Sequence, residues 1–150
     1  MPNRKEKIEK IMNTAIGLLG TPYQYGAYAT ADKQNSKPES VDCSSFIQYV
    51  CKQAGVNLPR SSVLQAARGR AITRAKDLQA GDLIFFEGIQ GHYAHKLFHG
   101  KKVYIGHVAI YIGNNEIIHA RASLKRVAKQ KLASLTKNPY FKIKLIKRIV

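Results

Sequence analysis

Gly106-His107-Val108-Ala109-Ile110-Tyr111-Ile112-Gly113-Asn114-Asn115-Glu116-Ile117-Ile118-His119-Ala120 is the stretch that decides the fold. Apolar, largely β-branched runs flank Gly113-Asn114-Asn115-Glu116, whose residue types accept the backbone twist of a tight turn, so a β-hairpin is predicted with strands over Val103–Ile112 and Ile117–Ala120. An odd-length turn over Gly113 to Asn115 puts His107, Ala109, Tyr111 and His119 on one side of the sheet. With His119 set opposite Tyr111, it lies roughly 13 Å along the strand from His107, and twist or a bulge has to close the gap. Two imidazoles on rigid strands among apolar neighbours are either core histidines or a working pair. The hairpin alone leaves both readings open.

Working outward, Leu83-Ile84-Phe85-Phe86 follows the turn-like Ala80-Gly81-Asp82 and reads as a fully buried strand. Lys142 to Val150, with apolar residues alternating roughly with Lys and Arg, is the last strand. The N-terminal half is helical in texture. Ile8, Ile11, Met12, Ala15, Ile16 and Leu19 recur at three- and four-residue intervals between about Asn3 and Leu19, and Gly20 and Pro22 stop the helix. Asp42 is a good N-cap for a helix with Phe46, Ile47, Val50, Cys51 and Ala54 on one face, closed by Gly55. Leu58-Pro59-Arg60-Ser61-Ser62 opens a short helix over Val63 to Arg68, and Ala27 to Ser40 reads as a surface loop. Helices first and an antiparallel sheet after them make the class α+β, and 150 residues give room for one domain, residues 1–150.

Composition excludes several classes. Hydrophobic residues at 45% and charged residues at 23% are those of a globular chain, not of a disordered or collagenous one. No apolar run approaches the ~20 residues of a membrane span, and Met1 to Lys10 lacks a signal-peptide pattern. The charge is unusual: 25 Lys+Arg against 9 Asp+Glu give +16. Such a field favours polyanionic partners, whether nucleic acid, anionic lipid or cell-wall polymer. The last acidic residue is Glu116, and ten basic residues follow from Arg121 onward. That run reads as a solvated basic face or as a binding patch; its interleaved apolar residues argue against a disordered tail.

The two cysteines, Cys43 and Cys51, lie eight apart on one predicted helix. Their Cα atoms are then ~12 Å apart, beyond the roughly 7 Å a disulfide spans, so no disulfide is expected. A thiolate is the reactive form, and a helix N-terminus lowers a thiol's pKa. Cys43 follows the Asp42 cap and is placed for that effect, or is simply a small buried hydrophobe; Cys51 lies mid-helix on the core face. A cysteine nucleophile needs a general base and a group that orients it. His107 and His119 are the candidates. His92, His95 and His99 have a ligand-like spacing, but no nearby carboxylate or Cys completes the set, and no metal is expected.

Val41-Asp42-Cys43-Ser44-Ser45-Phe46, Leu58-Pro59-Arg60-Ser61-Ser62, Ala80-Gly81-Asp82-Leu83-Ile84-Phe85-Phe86, Gly106-His107-Val108-Ala109-Ile110-Tyr111-Ile112-Gly113 and Ile117-Ile118-His119-Ala120, in that order and spacing, resemble the NlpC family of papain-like cell-wall cysteine peptidases. The resemblance covers Leu19 to about Ala122. It implies helices packed on a central antiparallel sheet, with the nucleophile at a helix N-terminus. Carried over residue by residue, it makes Cys43 the nucleophile, His107 the general base and His119 the residue that orients His107. It implies that Tyr23, Asp42 and Ser45 line the site, with Tyr23 near the oxyanion, and that Tyr25, Arg60, Ser61 and Ser62 border the substrate groove. The family hydrolyses peptidoglycan stem peptides, often between D-glutamate and a diamino acid, and uses no cofactor.

Departures from the pattern border the site. The loop 27–40 is longer than usual, Ala27 stands where a second Gly is common, Ser45 replaces the commoner Gly, and the insert 89–104 is long, with Gly and His residues that suggest a mobile flap. The partners implied are peptidoglycan or its stem peptides, with anionic envelope polymers on the basic surface and nucleic acid disfavoured. An immunity or inhibitor protein joins them if the chain is a secreted effector. The implied site of action is the bacterial wall or periplasm, reached by a trimmed, injected or phage-borne protein. An amidase or acyltransferase of the same superfamily, and a silent basic domain that binds anionic polymer, are the alternatives. The presence of Cys43, His107 and His119 together argues against the silent domain.

Overall fold

The computed structural model describes residues 1–29, 37–88, 92–93, 98–100 and 103–150. Helices α1 (Arg4–Gly17), α2 (Cys43–Gln53) and α3 (Ser62–Gln65) precede strands β1 (Arg70–Ala71) and β2 (Leu83–Glu87). Strands β3 (His92–Tyr93), β4 (Tyr104–Ile105), β5 (His107–Gly113), β6 (Glu116–Arg121) and β7 (Arg126–Lys131) follow, and α4 (Leu132–Thr136) leads into β8 (Lys142–Arg148). The class is α+β, as the sequence predicts. Among the described residues, a six-stranded antiparallel sheet runs β1-β8-β2-β5-β6-β7, and β3 pairs with β4 alone.

Both faces of the sheet are covered. On one, Phe46, Ile47, Val50 and Cys51 of α2 and Ile11 and Ala15 of α1 pack with Leu83, Phe85, Val108, Ile110, Ile118 and Ala120. On the other, Leu132 and Leu135 of α4 pack with Ile84, Phe86, Ala109, Tyr111, Ile117 and Ile146. Successive β2 side chains therefore enter different cores, which is why Leu83-Ile84-Phe85-Phe86 is apolar throughout although its partners are antiparallel. The start of β2 is tied to the end of β8 by Asp82, 1% exposed, which takes Nε and Nη2 of Arg148 at 2.8 Å each.

The hairpin differs from expectation in register. Asn114 and Asn115 form the turn at φ 54° and 60°, Gly113 pairs with Glu116, and an extra residue bulges between Tyr111 and Gly113. Tyr111 consequently faces Ile117 and Ile110 faces Ile118. Continuing that ladder sets His119 across from Ala109, not Tyr111, one diagonal step from His107 on the same face. The two-residue turn plus one bulged residue pairs the strands as a three-residue turn over Gly113 to Asn115 does, Tyr111 with Ile117 and Ile110 with Ile118, so the gap that comes from pairing His119 with Tyr111 does not arise.

The strand expected over Val103–Ile112 divides at Gly106. A Cβ there would lie 2.6 Å from the Gly88 Cα, so glycine permits the close backbone approach at which the chain passes from β4 into β5. Strand β7 was not anticipated: in Arg126-Val127-Ala128-Lys129-Gln130-Lys131 only Val127 is fully buried, and the lysines of an edge strand mask the alternation. No helix among the described residues is long and apolar enough to cross a membrane. Most of the insert 89–104, with His95, and residues 30–36 of the loop 27–40 lie outside the described residues. The flap reading of that insert falls there too.

Candidate active site

The site begins with the cap of α2. Asp42 Oδ1 accepts from the Ser45 N–H and Ser45 Oγ accepts from the Asp42 N–H, both at 2.9 Å, a reciprocal capping box. Ser45 is fully buried, so it lies beneath the groove and supports Asp42 instead of lining the site. Ser45→Ala strands the Asp42 N–H; the expected loss is about 1 kcal/mol, read as a fall in melting midpoint of about 2–4 °C. An unchanged midpoint would mean that the cap does not hold the site.

Cys43 is the first residue of α2 and is partly exposed, while Cys51 is fully buried on the core face. Both thiols are free. A groove of about 250 Å³ opens over Cys43, lined by Tyr23, Tyr25, Gly26, Asp42, Ser44, Arg60, Ser61, Ser62, Ile105 and Gly106. Of the residues expected at the site, Tyr23, Tyr25, Asp42, Arg60, Ser61 and Ser62 all meet here. Arg60 is locked on one wall: Nη2 donates to Asp42 Oδ2 at 2.7 Å and to the Ala27 carbonyl at 2.8 Å, and Nη1 donates to Ser44 Oγ at 2.7 Å. Its guanidinium also lies 4.8 Å from the centre of the Tyr28 ring. Burial works to raise the Asp42 pKa, but the hydrogen bonds from Arg60 and Ser45 outweigh it and hold the carboxyl below its ordinary value.

His107 and His119 come together as predicted. His107 Nε2 and His119 Nδ1 are 2.7 Å apart, with ring centroids 4.9 Å apart at 70°. His107 packs against Phe86, at 5.8 Å, and the edge-on ring of Phe141, at 5.6 Å, and those two rings also meet each other at 6.0 Å. The backbone amides of Val108, next to His107, and of Ser44 act on the Cys43 sulfur in the direction that favours its ionised form.

Electrostatics keep the resting groups neutral. Burial, joined by the negative charge of Asp42, pushes the Cys43 thiol up to about 11, and the amides of Val108 and Ser44 and the Arg60 charge only partly offset this. The direction is opposite to that expected from the helix N-terminus, because desolvation of the sulfur exceeds the gain from the amides. Burial, His119 and the Arg121 cation depress His107 well below 6.5. Burial lowers His119 to about 4, against the opposing hydrogen bond that His119 makes to the Gln130 oxygen and with the help of Arg121. Tyr23 is pushed up to about 12 by burial and by the neighbouring Cys43 and Asp42, so its phenol stays a donor. Cys43 therefore rests as a thiol, and His107 and His119 as neutral imidazoles.

Sequence reasoning missed Gln130, Arg121 and Phe141. Gln130 Oε1 lies 2.7 Å from His119 Nε2 and 3.3 Å from Arg121 Nη1, and the Arg121 guanidinium lies 4.8 Å from the centre of the Phe141 ring. The one available signal was an uncharged amide between Lys129 and Lys131 in a basic stretch. Among the described residues no group of three His, Cys, Asp or Glu side chains could hold a metal ion; His95 of the three-histidine set lies outside them.

The NlpC/P60 family model matches residues 20–149. The chain is 34% identical over 116 residues to the bifunctional muramidase/DL-endopeptidase CwlT of Bacillus subtilis, a match covering 77% of this chain and 30% of that protein. It is 33% identical over 116 residues to the murein DD-endopeptidase MepS/murein LD-carboxypeptidase of Escherichia coli, covering 76% of this chain and 50% of that protein. The solved structure of a lipoprotein-like NLP/P60 family protein of Staphylococcus aureus superposes with a TM-score of 0.73 at 29% identity, covering 100% of this chain and 43% of that one. The chain thus corresponds to half or less of the length of each.

Proposed function

Since the chain belongs to the NlpC/P60 family, we propose that residues 1–150 form one catalytic domain, a cysteine endopeptidase that hydrolyses a peptidoglycan stem peptide between D-glutamate and the diamino acid. The observation that carries this reading is Cys43 at the head of α2, open to the groove and acted on by the backbone amide of Val108, the residue after His107, whose Nε2 is held by His119. The DL-endopeptidase activity named for the Bacillus subtilis relative supports that bond over the DD bond named for the Escherichia coli one.

In the proposed reaction His107 Nδ1 takes the Cys43 proton as the sulfur attacks the amide carbonyl carbon. The oxyanion is met by the Cys43 N–H, one of the donors that a first helical turn leaves without an intrahelical partner, and by the Tyr23 phenol. Collapse breaks the C–N bond as His107 returns the proton to the leaving amine. Water, deprotonated by His107, then hydrolyses the thioester and restores Cys43. No cofactor takes part.

Incubating the protein with purified sacculi and identifying the fragments by mass spectrometry tests the bond. New D-glutamate carboxyl ends paired with free diamino acid amines are expected. Cleavage elsewhere would overturn the assigned bond, and no release at all would overturn the activity in favour of the silent binding domain.

The +16 charge is assigned to delivery. A basic exterior raises the local concentration of enzyme at an anionic wall, and salt screens that attraction over a Debye length of about 8–10 Å. Added salt is expected to weaken binding to whole sacculi far more than it slows cleavage of a short soluble stem peptide. Equal sensitivity in both assays would place the effect of charge inside the groove. Where the protein acts on a rival's wall, its natural opponent is an immunity or inhibitor protein that covers the same groove.

A further inference from the structure

The chain of hydrogen bonds behind Cys43 has a direction, and it can be read from the far end. Arg121 Nη1 lies 3.3 Å from one atom of the Gln130 amide. A guanidinium only donates, so that atom is the carbonyl oxygen, Oε1. The same oxygen lies 2.7 Å from His119 Nε2 and only accepts, so His119 Nε2 carries the hydrogen. A neutral imidazole has one N–H, which leaves His119 Nδ1 as an acceptor. His107 Nε2, 2.7 Å away, must then donate to it. His107 Nδ1 is consequently the nitrogen with a free lone pair.

We propose that Gln130 is a positioning residue that fixes the tautomers of both histidines, so that His107 offers an unprotonated Nδ1 to the Cys43 thiol. The inference rests on the reading of His107 as general base. With the amide oxygen removed, His119 is free to carry its hydrogen on Nδ1 instead. His107 would then accept at Nε2, carry its own hydrogen on Nδ1 and present a donor where a base is needed. With Gln130 in place, uptake of the Cys43 proton at Nδ1 leaves the Nε2–H···Nδ1 bond to His119 intact, and no ring has to turn.

The geometry around Gln130 keeps its amide from flipping. Arg121 is held over Phe141, and Phe141 is also the aromatic wall of His107. A flipped amide would point an NH2 group at Arg121 and at His119 Nε2. Strand β7, unremarkable as a lysine-rich edge, thus contributes one side chain to the site, on the face that β6 shares with His119.

The test uses Gln130→Met, which keeps the bulk and loses the acceptor, and Gln130→Glu, which keeps it. Gln130→Met is expected to lower kcat on a soluble stem peptide by about 10–100-fold with KM within about twofold, and Gln130→Glu to stay within about threefold of the wild-type kcat. Nitrogen-15 spectra of the ring nitrogens should show the hydrogen on Nε2 of both histidines in the wild type and a mixture in Gln130→Met. Wild-type His119 protonated on Nδ1, or a Gln130→Met enzyme as fast as the wild type, would overturn the proposal. Should Gln130→Met fail to fold, the wild-type spectrum decides. Failure of the peptidase reading would appear separately, as a Cys43→Ala protein as active as the wild type.

Discussion

Cys43→Ala is expected to end peptide release from purified sacculi, a loss of at least ~10³-fold in kcat/KM, with a stability change of about 1 kcal/mol or less. The asymmetry follows from where the sulfur lies. Cys43 is only partly buried, packed at the margin of the core at the head of α2, whereas every covalent step of the proposed reaction passes through it. Cys51→Ala is the matched control: its thiol is fully buried among Phe46, Val50 and the sheet, so the loss falls on stability and activity persists. A Cys43→Ala protein that releases peptides at the wild-type rate would remove the sulfur from the mechanism. Alkylation is a weaker test, because iodoacetamide reaches Cys43 before a fully buried Cys51 whatever their ionisation. Its pH dependence is informative. With the Cys43 thiol at about 11, labelling should keep rising well above neutral pH instead of levelling off near it.

What the sequence disclosed depended on whether one kind of force acted alone. Apolar periodicity and caps placed α1, α2 and β2 within a residue or two, because Asn3, Asp42, Gly20 and Gly55 punctuate patterns set by burial. The hairpin was legible, and the facing of its two histidines was legible from parity. Their separation is overestimated by pairing His119 with Tyr111, since Ile112 opposite Glu116 across a turn over Gly113 to Asn115 already sets His119 against Ala109, a register that the bulge between Tyr111 and Gly113 preserves. Strand β7 was hidden because its side chains serve solubility at a sheet edge and only Val127 meets the core. With β7 went Gln130, which stands behind the histidine pair and which, like Arg121 and Phe141, the five motif blocks do not include. The reversed direction of the Cys43 pKa has the same origin. A helix N-terminus is a sequence feature, but the desolvation that exceeds it comes from the groove walls, which assemble only in three dimensions.

Acid is expected to destabilise the fold before it reaches the carboxylates, and the histidine pair is the cause. His119, fully buried, is held near pKa 4 by burial and the Arg121 cation, while the unfolded chain binds its proton at about 6.5. Between those values the unfolded state holds more protons than the folded one, so stability falls as pH falls. The contribution is fully present above about pH 6.5, drains away down to about pH 4 and changes no further once His119 protonates in place. For His119 alone the loss is on the order of 3 kcal/mol. His107, also lowered below 6.5 by burial, by His119 and by Arg121, adds in the same direction. Denaturant unfolding at a series of pH values would measure the slope. His119→Asn, which keeps a polar group facing His107 and cannot titrate, should flatten it over that window. Activity of the folded protein should persist to lower pH than a free imidazole would allow, because His107, held well below 6.5 by burial, His119 and Arg121, stays neutral and able to take the Cys43 proton of the proposed reaction. An unfolding free energy that is flat from pH 7 to 4, or a slope unchanged in His119→Asn, would mean that the buried imidazoles do not resist protonation, and the neutral resting pair would fall with them.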